Sequence, residues 1–104
     1  MKGNTMKVQN ITSNNGNKIA NQFIITDDDG NKFFQSYNSV IAKIGLSKTW
    51  LKDQDFNPKT YLDQKYWNYS NTTGKYRNIF LGETITETKA KIKSGEYILT
   101  DLNK

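Results

Sequence analysis

NQFIITDDDGNKFFQSYNSVIAKI, residues 21–44, is the stretch that decides the fold. Its opening is rich in β-branched and aromatic residues, and Asp27-Asp28-Asp29-Gly30-Asn31 is a turn cluster. An apolar pattern then resumes, so the whole predicts a β-hairpin. Phe23 and Ile25 share one strand face and Ile24 takes the other. In the returning segment Phe33, Gln35, Tyr37, Ser39 and Ile41 alternate with Phe34, Ser36, Asn38, Val40 and Ala42. Neither set is wholly polar. Either both faces of this strand are partly covered, or its end turns away as a helical turn over residues 39–44.

Upstream, residues 1–20 hold few large apolar side chains and a polar cluster over 13–18. This predicts a partly ordered N-terminal arm over 1–20, with Val8 and Ile11 available to pin it to a sheet edge, and a single α+β domain over 21–104. Downstream, Gly45 closes the hairpin region. LSKTWLKDQDFNPKTYLDQK, residues 46–65, mixes charges with the chain's one proline, Pro58. Trp50 and Phe56 read as plugs placed into the core from this connection, and a strand is expected over 61–69.

Two helices carry clearer signals. Ser70 or Asn71 caps the first, Thr72, Tyr76, Ile79 and Phe80 form its inner stripe, and Gly82 stops it. Thr84 with Glu87 makes a capping box for the second. Its inner stripe is Ile85, Thr88 and Ile92, Glu87 and Lys91 are spaced to pair, and Gly95 ends it. Tyr97, Ile98 and Leu99 read as a short final strand. The expected architecture is α+β: a small antiparallel sheet with a β-hairpin, packed against two C-terminal helices and that strand.

With 104 residues the chain has room for one core and no deep enclosed cavity. It contains no cysteine and no histidine. Disulfides, thiolate nucleophiles, Cys- or His-ligated metals and His-dependent triads are thereby excluded. Fifteen Lys and Arg against ten Asp and Glu give a formal charge of +5, which favours polyanionic partners. No apolar run approaches the roughly 20 residues of a membrane span, and the first residues lack the apolar core of a signal peptide. The expectation is a cytoplasmic protein without membrane contact.

The densest stretch is YWNYSNTTGKYRNIF, residues 66–80. A helix starting near Ser70 aims its first N–H groups outward, beside the hydroxyls of Ser70, Thr72 and Thr73 and the cations Lys75 and Arg77, which is the chemistry of an anion site. Capping alone accounts for a Ser-Asn-Thr-Thr start equally well. Tyr66 and Tyr69, interleaved with cations, add stacking platforms of the kind that hold single-stranded nucleic acid, although rings in so short a chain are also needed for the core. Gly74-Lys75 does not complete a phosphate-binding loop, because Tyr69 replaces its first glycine and Tyr76 its magnesium-binding hydroxyl. The run Asp27 to Gly30 fails as a calcium loop, with Ile25 at the first ligand position and Ser36 at the last. The site prediction is therefore Tyr66, Tyr69, Ser70, Thr72, Thr73, Lys75 and Arg77 for nucleic acid or another anion, with no catalytic residue, metal or cofactor.

ANQFIITDDDGNKFFQSYNSVIAKI and the block from Tyr66 to Asn103 resemble a group of short uncharacterised proteins carried by phages and mobile elements of low-GC bacteria. The features that match are Phe34-Gln35-Ser36-Tyr37-Asn38-Ser39 and the segment from Trp67 to Leu81. The resemblance covers roughly residues 20–103 and brings no established activity. It implies a context, since such proteins modulate nucleic-acid machinery or inhibit host defence nucleases. The basic charge departs from inhibitors that mimic DNA. Together these readings predict a non-catalytic accessory protein that binds nucleic acid or nucleoprotein. The alternative is an inhibitor that docks on a host defence nuclease or another nucleic-acid-processing protein.

Overall fold

A computed structural model describes residues 7–13, 15–28, 30–45 and 59–103. Six strands form one sheet in chain order: β1 (Lys7–Thr12), β2 (Lys18–Thr26), β3 (Lys32–Ser36), β4 (Ser39–Gly45), β5 (Lys59–Asp63) and β6 (Tyr97–Thr100). The first five pair antiparallel with their neighbours; β6 pairs parallel with β5. Two helices, α1 (Asn71–Leu81) and α2 (Ile85–Ser94), form the crossover that parallel pairing requires. The protein is an α+β domain with a hairpin, its sheet mixed rather than wholly antiparallel.

The hairpin turn is built as its residues dictate. Asp27 accepts from the Asn31 backbone N–H at 2.9 Å and from its side-chain amide at 3.0 Å, while Gly30 takes φ 88°. Register then places Phe34 opposite Ile24 and Ser36 opposite Gln22. Within the stretch read as an arm, Lys7–Thr12 is edge strand β1, which sends Ile11 into the core and leaves Val8 exposed.

The returning segment is not one strand. It breaks after Ser36, turns through Tyr37 and Asn38, and runs back as β4 where a helical turn had been an option. Tyr37 makes this turn with φ 57°, a left-handed conformation uncommon for a bulky residue. Its N–H donates to the carbonyl of Asn21 at 2.7 Å, and Asn21 is itself left-handed at φ 65°. The Gln35 amide donates to the Tyr37 carbonyl at 2.8 Å. These bonds hold a backbone shape that the residue type does not favour.

Phe34, Ile41, Ala42, Leu62, Ile11 and Tyr97 are the buried apolar core, with Phe80, Leu81 and Ile92 of the helices packed on it. Phe34 and Phe80 stack at 5.9 Å between centroids, joining sheet to α1. A register shift between Phe34 and Gln35 lets both Ile41 and Ala42 of β4 be buried. On the opposite face Lys43 lies over the rings of Phe33 and Tyr61. Trp50 and Phe56, expected as core plugs, fall outside the described residues.

Helix ends follow the sequence signals. Ser70 accepts from Thr73 N–H at 3.1 Å, Thr84 and Glu87 form both bonds of the capping box, and Gly82 and Gly95 close the helices with left-handed φ. Three expectations are corrected. The strand read over 61–69 ends at Asp63, because the Asp63 carboxylate turns back to accept from the N–H groups of Lys65 and Tyr66. Of the stripe expected on α1, Tyr76 and Phe80 pack against the core while Thr72 and Ile79 face outward, and the helix residues buried most deeply are Thr73, Gly74 and Arg77. Lys91 pairs with Glu83 at 2.7 Å, since Glu87 is engaged in its cap.

Candidate functional site

A pocket of about 420 Å³ opens where the start of α1 meets the turn between β3 and β4. Ser36, Tyr37, Asn38, Ser39 and Ile41 line it from the sheet side, and Tyr66, Tyr69, Ser70 and Thr73 from the helix side. Its size is at the lower end of the range for small-molecule pockets. Tyr37 and Tyr69 stand at the mouth, 57% and 69% exposed, while Tyr66 is half-buried and meets Tyr69 edge to face at 5.5 Å.

The floor is polar. Ser36 Oγ and Thr73 Oγ1 share a hydrogen bond of 3.1 Å, and Gln22 shares their side of the sheet. These three side chains are 3%, 2% and 1% exposed. Among the described residues Gln22 Oε1 has no donor. Polar groups this deep destabilise a core unless bonded.

Both walls are tied by one buried carboxylate that the sequence reading passed over. Asp63 Oδ2 accepts from Tyr66 N–H at 2.8 Å, and Oδ1 accepts from Leu102 N–H at 2.8 Å and the Asn103 amide at 3.0 Å. Asn103 in turn takes the N–H of Val40 at 2.7 Å and donates to its carbonyl at 2.9 Å. Burial works to raise the Asp63 pKa, but the bonds from Leu102, Tyr66, Asn103 and Lys65 outweigh it and hold the group below the usual carboxylate value. The clasp thus spans Tyr66 on one wall and the neighbour of Ser39 and Ile41 on the other.

The predicted site residues divide three ways. Tyr66, Tyr69, Ser70 and Thr73 come together in the pocket. Thr72 and Lys75 are exposed on α1 but do not line it. Arg77, expected to face a phosphate, is 1% exposed and turned inward. Its Nη1 donates to the Trp67 carbonyl at 2.8 Å and to Asn68 Oδ1 at 3.1 Å, its Nη2 donates to Asn78 Oδ1 at 2.8 Å, and the guanidinium lies 5.3 Å from the Trp67 ring centroid. Burial lowers its pKa while Glu83 acts the other way; an arginine remains charged throughout the physiological range. Arg77 is therefore a bracket between α1 and the segment before it. Lys65 is exposed next to the pocket, 5.3 Å from the Tyr66 ring centroid, and Lys75 is exposed on α1, 5.4 Å from the ring centroid of Tyr76, which does not line it.

Ser36, Tyr37, Asn38, Ser39 and Ile41 were not among the predicted site residues. The available signal was Ser-Tyr-Asn-Ser between two apolar runs, a composition that favours turns. Among the described residues no group of three or more His, Cys, Asp or Glu is placed to hold a metal ion, and no helix is long and apolar enough to cross a membrane.

Fold and site define a small basic α+β domain with a neutral, tyrosine-rimmed pocket at a helix start. The chain belongs to DUF8033, a family of unknown function whose model matches residues 6–98. No curated protein and no solved structure gives a significant match.

Proposed function

We propose that this protein is a non-catalytic binder of nucleic acid or nucleoprotein, an accessory factor of the phage and mobile-element kind, acting in the host cytoplasm through the face around the start of α1. The observation that carries the reading is the meeting of Tyr37, Tyr66 and Tyr69 with a helix N-terminus, with Lys65 over the Tyr66 ring and Lys75 exposed further along α1, on a chain of net charge +5. Aromatic faces stack on bases, cations and helix N–H groups attract phosphates, and neither needs a reacting group. Without histidine or cysteine the chain lacks the side chain most often used as a general base near neutral pH and any thiolate nucleophile.

The test is a titration against labelled single- and double-stranded DNA and RNA at two salt concentrations, with the Lys65→Ala/Lys75→Ala variant alongside. Binding that weakens with salt, with a smaller salt slope in the variant, is the expected result. Arg77 is left intact because it holds the fold. Absence of binding at low salt, together with a stoichiometric complex with a host nucleic-acid-processing protein, replaces this reading with that of an inhibitor acting by protein contact.

A further inference from the structure

The pocket's lining is neutral throughout, while the cations stand outside it. Hydroxyls, one amide, tyrosines and Ile41 supply hydrogen bonds and ring surface but no side-chain charge at neutral pH. A phosphate would be better met by the exposed lysines. What matches the interior is a flat, neutral, hydrogen-bonding ring. We infer that the pocket takes one unstacked base of a single-stranded nucleic acid, with the backbone passing along Lys65 and Lys75; this rests on the nucleic-acid reading above.

Three features independent of the helix start support the assignment. The hydroxyl pair of Ser36 and Thr73 puts buried polar groups in the pocket's lining, and Gln22, opposite Ser36 in register, carries a buried acceptor with no donor among the described residues. Tyr37 is held in a left-handed conformation that glycine or asparagine would adopt with less strain, and this presents its ring at the mouth. The Asp63–Asn103 clasp fixes both walls, so little ordering is left to be done on binding. At about 420 Å³ the space is one for a ring system, and a base stacked and paired within a duplex has no route into it.

The experiment measures anisotropy of the full chain with three labelled probes of equal length: a mixed-sequence single strand, an abasic deoxyribose-phosphate strand and a duplex. Two variants accompany it, Tyr37→Gly and Lys65→Ala/Lys75→Ala. The glycine variant suits the left-handed backbone and is expected to fold at least as well as the parent, which thermal melting verifies. The mixed single strand should bind at least about tenfold tighter than the abasic strand. Tyr37→Gly should erase that difference while keeping the salt slope, and the lysine variant should do the reverse. Equal affinity for mixed and abasic strands, or duplex binding as tight as single-strand binding, overturns the base pocket and leaves the phosphate surface standing. No affinity for any probe overturns both.

Discussion

The two ends of α1 treat buried polarity in opposite ways. Past its C-terminus, Glu83 is enclosed and fully engaged: Oε1 accepts from Lys91 and Tyr97, both at 2.7 Å, and Oε2 accepts from the Thr88 hydroxyl. Burial tends to raise its pKa, but the bonds from Lys91, Thr88 and Tyr97 prevail and hold it below the usual carboxylate value. Tyr97, buried and donating to that carboxylate, is pushed up to about 12. At the N-terminal end Ser36 and Thr73 line the cavity, and Gln22, opposite Ser36 in register, holds an acceptor with no donor among the described residues. A saturated network is accounted for by stability. The unsaturated one is not, and Arg77 Nε, also buried without a partner among the described residues, shares that condition.

Breaking the saturated end should have the largest effect. Glu83→Ala leaves the Tyr97 hydroxyl without its acceptor and Thr88 with only the Thr84 carbonyl, and should lower stability by about 3 kcal/mol in urea unfolding, the scale for losing two hydrogen bonds from hydroxyls to a charged acceptor. The same group gives the fold an acid limit. The folded-state pKa values of Glu83 and Asp63 lie below their unfolded values of about 4, so their contribution is complete above that range. It is lost as pH falls through the lowered values, and Glu83→Gln should flatten this limb of the stability profile.

Arg77→Ala should come next, at about 2 kcal/mol, because it removes three hydrogen bonds and the guanidinium stacked over Trp67. Loss of nucleic-acid binding in that variant without loss of Tm would return Arg77 to the binding surface.

The sharpest contrast lies between hydroxyls at the two ends. Thr88→Val should cost about 1.5 kcal/mol, since it withdraws a donor from a carboxylate. The double variant Ser36→Ala/Thr73→Val, which removes both partners of one bond, should fall within about 0.5 kcal/mol of the parent. Equal losses in urea unfolding would mean that both ends are structural. The smallest effect should be a gain. Gly74→Ala places a methyl in ordinary contact at 3.6 Å from the Arg77 guanidinium and should raise stability by about 0.5 kcal/mol through helix propensity, visible as a higher Tm.

What the residues announced in advance was local. The Asp27 turn, the Ser70 cap, the Thr84 and Glu87 box and the glycine stops each depend on partners within four positions. Residue type and spacing therefore suffice to find them. Tyr37 escaped because a left-handed turn is expected at glycine or asparagine, not at a ring. Arg77 escaped because counting apolar positions on α1 assigns every arginine to solvent, and the stripe was rotated as a result. Four of the pocket's residues were among those named, Tyr66, Tyr69, Ser70 and Thr73. The opposing wall was not, since nothing in 36–41 reports which helix will lie over it. The clasp joins Asp63 to residues 39 and 40 positions away, beyond the reach of any periodicity.

That clasp also sets an order of assembly. Strands β1 to β4 form a meander of neighbouring segments, whose loops are short to close. The pocket wall at Val40 is completed only when Asn103 arrives, across a separation of 63 residues. During synthesis strands β1 to β4 can thus be in place while the pocket is still open on one side. Tyr37, Tyr66 and Tyr69 are all synthesised well before the contact that completes the wall at Val40.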